Sequence, residues 1–443
     1  MNFSDLNLNK PLKNALDDLG YLQPTLIQEK AFSVIMSGKD VVGIAQTGTG
    51  KTIAYILPCL RLLEFSNDHY TQILIIVPTR ELVMQVVEEV KKLTTYMNVI
   101  VAGVYGGVNI KPQMDLVYNG VDILVATPGR LLDLTLNGSL KLKSVKRLVI
   151  DEMDELLDLG FRSQLTRVFS FLPVKRQNLL FSATITEDIE ILISEFFNTP
   201  VTIEAAPTGT PVEKIQQSMY AVPNFNTKIN LLVLLLTNRD VFSKVMVFAA
   251  TKKLADQIFE SISEKFPDEI AVIHSNKSQN LRFETVNNFQ KEEIRILIAT
   301  DIIARGINIS EVTHVFNFDM PESPETYIHR IGRTGRVDKT GTAIAFVSES
   351  EKESLEKIET LMNQKIPVIQ LPIELLISDV LTEDEKPKIS MKAVPIKQLN
   401  TDPAGASFHE KKDKNKKVNI KMSRAQTQRL KYGKPKTRGQ KKP

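Results

Sequence analysis

The eight residues 45–52, AQTGTGKT, combine two glycines with a lysine and a threonine at a spacing that suits phosphate binding. They follow an apolar, strand-like run and precede a helix-like one, TIAYILPCLRLLEF. In such a turn, Gly48 and Gly50 let backbone amides and the helix N-terminus surround phosphate oxygens. Lys51 would bring charge to the β- and γ-phosphates of a nucleotide, and Thr52 would offer a hydroxyl to Mg²⁺. The segment predicts a P-loop, although Ala45 stands where the general pattern has glycine.

The stretch LVIDEMDELL, residues 148–157, places acids at the end of another strand-like run. A P-loop needs a carboxylate at the end of a neighbouring strand to hold Mg²⁺, and Asp151 fits that role. Glu152 would then accept a proton from the attacking water. Acids at strand ends often only cap the next helix, so the functional interpretation depends on the P-loop. Met153 is unbranched and adaptable, and we expect it to pack beneath this loop.

The stretch HRIGRTGR, residues 329–336, repeats arginine at three-residue intervals. On a helical turn, Arg330, Arg333 and Arg336 would project to roughly one side. Their guanidinium groups repel one another unless an anion lies among them. A nucleotide phosphate held by another domain could be this anion. The arginines would then act as arginine fingers, which stabilise charge in the transition state of phosphoryl transfer. The alternative is an ion-pair cluster with carboxylates.

Apolar, β-branched runs alternate with amphipathic stretches along most of the chain, which predicts parallel sheets covered by helices. Ligands bind beyond the carboxyl ends of the strands in such sheets, and the polar motifs lie there. A linker is predicted in EAAPTGTPVEK, residues 204–214, because prolines and glycine replace large apolar residues. The runs before it are DVVGIA (40–45), QILIIVP (72–78), VDILVA (121–126), RLVID (147–151) and NLLFSA (178–183). Those after it are KVMVFAAT (244–251), EIAVIHS (269–275), IRILIATD (294–301), THVFNFDMP (313–321) and GTAIAFVS (341–348).

Length and charge predict two domains followed by a basic tail. A chain of 443 residues is too long for one ordinary core. The net charge of +4 divides into +12 for residues 410–443 and −8 for the remainder. The tail has few large apolar side chains, so we expect it to be disordered and to bind a polyanion. The alternative is a solubilising tail without a specific partner.

Other classes of protein are disfavoured by composition. The longest apolar run is far shorter than the roughly 18 residues that span a bilayer, and the first residues lack the apolar core of a signal peptide. Cys59 is the only cysteine, which excludes an intramolecular disulfide or a cysteine-based zinc site. We therefore expect a cytoplasmic protein with no membrane partner.

With these motifs in order, residues 3 to about 360 resemble the bacterial DEAD-box ATP-dependent RNA helicases of superfamily 2. The resemblance implies two tandem RecA-like α/β domains with parallel sheets, a flexible linker and a disordered basic C-terminal tail. It places the ATP-binding domain at residues 1–205 with a Q motif at 3–28, and the linker at 206–215. The second helicase domain would span 216–365, and the C-terminal extension 366–443. The implied ligands are ATP, Mg²⁺ and RNA, with ribosomal or degradation-machinery proteins as further candidates and a monomer as the expected state.

The resemblance also assigns roles to individual residues. The catalytic residues would be Lys51, Asp151, Glu152, His329, Arg333 and Arg336, with Thr52 and Asp151 on the metal. The nucleotide contacts as a whole would be Phe3, Tyr21, Gln28, Ala45, Gln46, Thr47, Gly48, Thr49, Gly50, Lys51, Thr52, Asp151, Gly306, Asn308, Arg333 and Arg336. Gln28 would recognise adenine and the upstream aromatic would cover its ring. Coupling between ATP and RNA would involve Asp154, Ser182, Thr184, Asp301 and Arg305, with Asp154 accepting from Ser182 and Thr184.

RNA would lie across both domains and be held by its sugar-phosphate backbone, which carries no base information. The first domain would contribute Pro78, Thr79, Arg80, Gly106, Gly107, Thr127, Pro128, Gly129 and Arg130. The second would contribute Phe248, Thr251, Gln279, Arg282 and Thr300.

Two positions depart from the family pattern. Met153 replaces the alanine of D-E-A-D, and Asn308 stands where the family has an aspartate that touches the ribose of ATP. We expect hydrolysis to survive both changes, with weaker ATP affinity or coupling from Asn308. Two alternatives to an RNA helicase remain open at this point. One is a non-catalytic, ATP-gated RNA clamp, and the other is a DNA translocase.

Overall fold

A computed structural model describes residues 2–45, 49–65, 70–204, 215–301, 312–335, 340–383, 385–386 and 430–431. Two seven-stranded parallel sheets dominate it, and both belong to one compact unit, Met1–Lys386. Among the described helices, none is both long enough and apolar enough to cross a bilayer.

The first sheet has the strand order β3-β4-β2-β5-β6-β1-β7. Its strands are β1 Val41–Ile44, β2 Ile73–Ile76, β3 Val101–Val104, β4 Ile123–Ala126, β5 Arg147–Ile150, β6 Gln177–Ser182 and β7 Val201–Glu204. The helices of this domain are α1 Lys10–Asp18, α2 Leu26–Met36, α3 Lys51–Arg61, α4 Arg80–Leu93, α5 Lys111–Tyr118, α6 Pro128–Leu136, α7 Met153–Asp158, α8 Arg162–Phe169 and α9 Glu187–Phe196. A short 3₁₀ helix, Phe3–Asp5, precedes them.

The second sheet has the order β10-β11-β9-β12-β13-β8-β14. Its strands are β8 Ile215–Ala221, β9 Val245–Ala249, β10 Ile270–Ile273, β11 Ile296–Thr300, β12 His314–Asn317, β13 Gly341–Val347 and β14 Val368–Ile369. The described helices are α10 Phe225–Leu236, α11 Lys252–Ile262, α12 Gln279–Gln290, α13 Pro324–Ile331 and α14 Lys352–Met362, with 3₁₀ turns at Ser263–Lys265 and Glu349–Glu351.

Two apolar clusters lie on opposite faces of the first sheet, because its central strands are buried on both sides. Within β2, Ile73 and Ile75 pack into one cluster with α3 and α4, whereas Leu74 and Ile76 pack into the other. Alternate side chains of a strand point to opposite faces, so a strand buried on both faces is apolar throughout. This explains why the sequence pattern located β2.

The predicted α/β class is therefore confirmed, and every apolar run named above contains a strand. The sequence did not predict β3, β7, β8 or β14. β7 and β14 lie at sheet edges, and β8 carries polar residues in the sequence IQQSMYA. Such strands need little apolar surface, so their sequences carry a weak signal.

Three helices that follow strands are each capped by a side-chain hydroxyl. Thr79, Thr251 and Ser278 each accept a hydrogen bond from the backbone N–H three residues later, at the starts of α4, α11 and α12. Such caps satisfy amides that the first helical turn leaves unpaired. The motif residues are thereby held at the carboxyl edges of the two sheets.

Candidate functional site

The described part of the phosphate loop is joined to the predicted Q motif by direct hydrogen bonds. Gly50 has φ 87°, and a Cβ at this position would collide with the Gln28 amide. Gln28 Nε2 donates to the Gly50 carbonyl at 3.1 Å, and Thr25 Oγ1 donates to the Thr49 carbonyl at 2.8 Å. The left-handed region favours glycine, so the turn into α3 depends on Gly50.

Lys51 and Glu152 form a buried pair between α3 and the end of β5. Lys51 Nζ lies 3.0 Å from Glu152 Oε1. The pKa of Lys51 is raised, because the charges of Glu152 and Asp151 outweigh the burial that would lower it. Glu152 has φ 51°, a left-handed conformation that is strained for a residue with a side chain. In this conformation the Glu152 carboxylate lies against Lys51 at the start of α3.

Asp151 directly follows β5 and is buried. Its Oδ1 accepts from the Glu152 N–H at 3.0 Å, and its Oδ2 accepts from the Tyr55 hydroxyl at 2.8 Å. Burial raises the pKa of Asp151 to about 6 and the charge of Glu152 adds to this, while Lys51 and Tyr55 act in the opposite direction. A nearby cation would favour the ionised carboxylate, so the site suits positive charge.

Asp154 connects the acidic segment to the turn after β6. Its Oδ2 accepts from the Ala183 and Thr184 N–H groups and from Thr184 Oγ1, at 3.0–3.1 Å. Its own N–H donates to Ser182 Oγ at 3.2 Å. The contact expected from Thr184 to the Asp154 carboxylate is present. The Ser182 side chain interacts with the Asp154 carboxylate as well as with the Asp154 backbone.

Met153 is buried in the apolar cluster beneath this segment, with 1% of its surface exposed. The expectation that it packs under the loop is confirmed.

His329 of α13 lies against these acids and joins the two domains. Its Nε2 is 3.6 Å from Asp154 Oδ2, and its Nδ1 is 3.8 Å from Glu155 Oε1. Burial would lower the pKa of His329, but Asp154 and Glu155 raise it overall. Burial would raise the pKa of Asp154, but the hydrogen bond and charge of His329 hold it well below its usual range. The second domain therefore places an imidazole with a raised pKa against the acidic segment of the first.

Arg330 corrects one expectation. It forms two hydrogen bonds with Asp301, Nε to Oδ1 at 2.6 Å and Nη2 to Oδ2 at 2.9 Å, and Nη1 donates to the Asp319 carbonyl at 2.7 Å. The guanidinium also lies over the Phe248 ring. The prediction that all three arginines share one anion is wrong for Arg330, because carboxylates of its own domain neutralise it. Arg333 is buried, and its Nε donates to the His329 carbonyl at 3.4 Å.

The residues predicted to bind RNA in the first domain lie beyond three adjacent strands, β2, β4 and β3. Thr79 caps α4, and a Cβ on Gly107 would collide with the Arg80 guanidinium. Arg130 is buried, donating from Nη1 to Gln113 Oε1 at 2.8 Å and from Nη2 to the Val108 carbonyl at 2.7 Å. The structure therefore brings these residues to one edge, where they are Pro78, Thr79, Arg80, Gly106, Gly107, Thr127, Pro128, Gly129 and Arg130.

Two pairs of charged or polar side chains connect this edge to α12 of the second domain. Arg80 Nη1 donates to Gln279 Oε1 at 3.0 Å, and Arg282 Nη1 lies 2.8 Å from Glu81 Oε1. The Arg282–Glu81 pair is nearly buried, so in this arrangement Arg282 joins the domains. Glu81 and Glu155 are functional candidates that the sequence analysis missed, because only the fold places them opposite Arg282 and His329.

The aromatic residues predicted to contact ligands differ in how much of their surface is exposed. Phe3 and Phe248 are buried, with 4% and 1% of their surface exposed. The ring centroids of Tyr21 and Phe3 lie 6.5 Å apart, and Tyr21 exposes 36% of its surface. Of these two aromatic residues of the Q motif, Tyr21 is the more accessible. Thr251 is exposed at the start of α11, and Thr300 is buried at the end of β11.

Seven predicted site residues lie outside the described part of the chain. They are Gln46, Thr47, Gly48, Arg305, Gly306, Asn308 and Arg336. Residues 205–214 of the predicted linker and nearly all of the predicted basic tail are outside it too.

The residues around the P-loop fit Mg²⁺. Asp151 and Thr52 offer hard oxygen donors, which this ion prefers. Among the described residues, the buried atom Glu152 Oε2 makes no hydrogen bond, while Glu152 Oε1 pairs with Lys51 Nζ. An attacking water would satisfy Glu152 Oε2, and a phosphate would suit the charge of Lys51.

Comparison with known proteins identifies both domains. A family model described as DEAD/DEAH box helicase matches residues 25–192, and one described as Helicase conserved C-terminal domain matches residues 227–338. The ATP-dependent RNA helicase RhlB of Pseudomonas syringae is 38% identical over 383 residues, covering 84% of this chain and 96% of the relative. The DEAD-box ATP-dependent RNA helicase RhpA of Helicobacter pylori is 37% identical over 370 residues, covering 84% of this chain and 74% of the relative.

Solved structures share the two-domain fold. Dbp5 of S. cerevisiae bound to RNA and ADP BeF3 has a TM-score of 0.76 at 28% identity, covering 83% of this chain and 95% of its own. Mss116p bound to ssRNA and AMP-PNP has a TM-score of 0.75 at 28% identity, covering 84% of this chain and 80% of its own.

Proposed function

Because this chain belongs to the DEAD-box family of ATP-dependent RNA helicases, we propose that it hydrolyses ATP when single-stranded RNA lies across both domains. The cycle would separate short RNA duplexes or remodel RNA–protein complexes. The observation that supports this most strongly is the contact of His329 with Asp154 and Glu155. It links the acids next to the phosphate loop to the second domain, so closure of the two domains can control chemistry.

The proposed chemistry is an attack of water on the γ-phosphorus of ATP. Glu152 takes the proton of the attacking water, and the bond between the γ-phosphorus and the oxygen bridging it to the β-phosphate breaks, so ADP leaves. Lys51 offsets charge on the phosphates, and Arg333 and Arg336 stabilise charge that develops in the transition state. Until the domains close, these groups are divided between two halves, so we expect slow hydrolysis without RNA.

Thr52 and Asp151 are the proposed residues that would hold Mg²⁺. The bound ion would offset charge on the β- and γ-phosphate oxygens. Tyr21 and Gln28 would contribute to adenine recognition. Asn308 would accept a hydrogen bond from ribose without a negative charge, at a loss on the order of 1 kcal/mol in closure.

We propose that RNA binds along the edge formed by the loops after β2, β3 and β4, and continues onto α12. Contacts to 2′-hydroxyls would favour RNA over DNA. A closed state that grips a bent single strand cannot hold an A-form duplex, so a short helix would be opened locally. Asp154, with Ser182 and Thr184, would pass the state of the RNA site to the acids beside ATP.

The wider setting follows from the same proposal. The chain would act in the cytoplasm as a monomer, with ribosomal or degradation-machinery proteins as candidate partners. The proposed division is an ATP-binding domain at 1–205, a linker at 206–215, a second domain at 216–365 and an extension at 366–443.

Glu152→Gln tests the chemical assignment. Glutamine keeps the shape of the side chain but accepts no proton, so RNA-stimulated turnover should fall by about 10²–10⁴-fold. Binding of ATP and RNA should persist. Glu187→Gln, on the exposed first turn of α9, is the matched control and should leave turnover unchanged. Steady-state hydrolysis by Glu152→Gln at the wild-type rate would exclude this residue as general base.

A strand-displacement assay with a short RNA duplex separates the helicase from a non-catalytic clamp. We expect ATP to release the displaced strand from the wild-type chain and not from Glu152→Gln at matched protein concentration. Binding without any ATP-dependent release in the wild type would favour the clamp.

A further inference from the structure

Tyr55 is a buried phenol to which the proposed chemistry assigns no role. It lies on α3, four residues after Lys51, and is fully buried. Its hydroxyl crosses from the helix to the end of β5 and donates to Asp151 Oδ2 at 2.8 Å. The ring packs against Phe181 of β6 with centroids 5.3 Å apart. The aromatic contact limits where the ring can lie, and so where its hydroxyl can reach.

The two oxygens of Asp151 are held by two different donors. Oδ1 accepts from the Glu152 N–H at 3.0 Å, while Oδ2 accepts from Tyr55. Two donors on opposite oxygens define the plane of a carboxylate. Each oxygen can accept a second interaction, so the pair leaves room for a metal ion or a metal-bound water.

The Tyr55 hydroxyl also meets the second predicted metal ligand. Thr52 stands three residues earlier on the same helix, a spacing that brings side chains together. The Tyr55 side chain forms a hydrogen bond with the Thr52 side chain. One phenol thus contacts Thr52 on the helix and Asp151 just after β5.

We propose that Tyr55 is a positioning residue for the divalent metal, holding Asp151 and Thr52 in the arrangement that binds it. The inference rests on the proposed function, which takes these two residues as the metal ligands. Groups that hydrogen-bond to metal ligands orient them, and their loss costs typically 10–100-fold in metal affinity. Removing the hydroxyl takes away the donor to Asp151 Oδ2, so the carboxylate is held less firmly, and it also removes the link to Thr52.

A purely structural role makes a different prediction. A buried tyrosine needs a partner for its hydroxyl, and Asp151 would then serve only as a convenient acceptor. In that case Tyr55→Phe would alter the unfolding temperature and leave metal affinity unchanged. Metal affinity is therefore the measurement that distinguishes the two roles.

The experiment uses the full chain with AMP-PNP and follows Mn²⁺ binding by electron paramagnetic resonance. Tyr55→Phe should bind Mn²⁺ about tenfold more weakly than wild type, while its AMP-PNP affinity in EDTA stays unchanged. Tyr96→Phe is the matched control, because Tyr96 donates to Asp18 at 2.5 Å on the surface of the same domain. It should bind Mn²⁺ like the wild type.

A second variant tests the donor itself. With 4-aminophenylalanine at position 55, the ring and an N–H donor are retained, so Mn²⁺ affinity should return to within about twofold of wild type, as direct donor replacement implies. Wild-type Mn²⁺ affinity in Tyr55→Phe, or a tenfold loss with the amino analogue, would overturn the inference and leave the proposed function standing. A wild-type AMP-PNP complex that bound no Mn²⁺ would overturn both.

Discussion

At the scale of single residues, Met153 shows how a departure from the family pattern is accommodated. The side chain is buried in the cluster under α7. Met153→Ala restores the D-E-A-D sequence but leaves a cavity, since the surrounding side chains relax only partly. We expect a loss of roughly 2–5 kcal/mol in the free energy of unfolding, measured by urea denaturation.

Leu136→Ala is a suitable control for this prediction, because Leu136 is 53% exposed and its truncation should change stability little. RNA-dependent turnover should survive in Met153→Ala at temperatures where the variant is folded. Equal unfolding free energies for Met153→Ala and wild type would show that the site repacks without a cavity.

His329 predicts a pH dependence of domain closure. Its pKa is raised in contact with Asp154, so its contribution is complete below the ordinary value of 6.5 and is lost as pH rises through the raised value. The depressed pKa of Asp154 acts in the opposite direction, and its contribution is lost only as pH falls through the folded value. As pH rises above the ordinary histidine value of 6.5 and through the raised pKa of His329, closure should therefore weaken.

Energy transfer between dyes on Ser163→Cys and Ser261→Cys would measure closure, because both serines are exposed and the native Cys59 is buried. With RNA and AMP-PNP, the RNA concentration for half-closure should increase as pH rises. In His329→Gln this increase should disappear. An identical pH dependence in both proteins would exclude His329 as its source.

At the scale of elements, the segment after α14 contributes to the second domain. In β14, Val368 and Ile369 pair with Met219 and Tyr220 of β8. The following residues lie along α10, where Asn230 Nδ2 donates to the Leu376 carbonyl at 2.8 Å. The side chains of the leucines at 371 and 375 pack against the apolar cluster of this domain.

A truncation series tests this contribution. A chain ending at Lys386 should unfold at the same temperature as the full chain. One ending at Gln364 should lose roughly 3 kcal/mol of stability, as expected for two partly buried leucines and several hydrogen bonds. Differential scanning calorimetry would measure both. Equal stability of the two truncated chains would show that residues 365–386 do not stabilise the second domain.

The local motifs predicted the family and the fold class, and both predictions are confirmed. The P-loop and the acidic residues after β5 could be predicted from the sequence, because each motif consists of a few neighbouring residues. The contacts of Tyr55 with Asp151 and of Arg330 with Asp301 were not, because they join residues 96 and 29 positions apart. The strand β14 was missed because its two side chains are exposed and carry no buried pattern.

At the scale of the whole molecule, charge is divided between an acidic body and a basic tail. Residues 410–443 carry +12 and the remainder −8. Deleting 410–443 should weaken RNA binding and reduce its salt dependence, because fewer counterions are released. Hydrolysis at saturating RNA should be preserved, since the proposed catalytic residues lie elsewhere. Fluorescence anisotropy at several salt concentrations would measure the first effect, and complete loss of turnover would contradict the second.

The central claim is that RNA completes a catalytic site divided between two domains. Its most direct test is the ATP turnover of the full chain with single-stranded RNA, with single-stranded DNA and with neither. The account predicts that RNA raises turnover by at least about tenfold, as charge stabilisation supplied on closure implies, and that DNA does so far less. Equal turnover in all three conditions would contradict it.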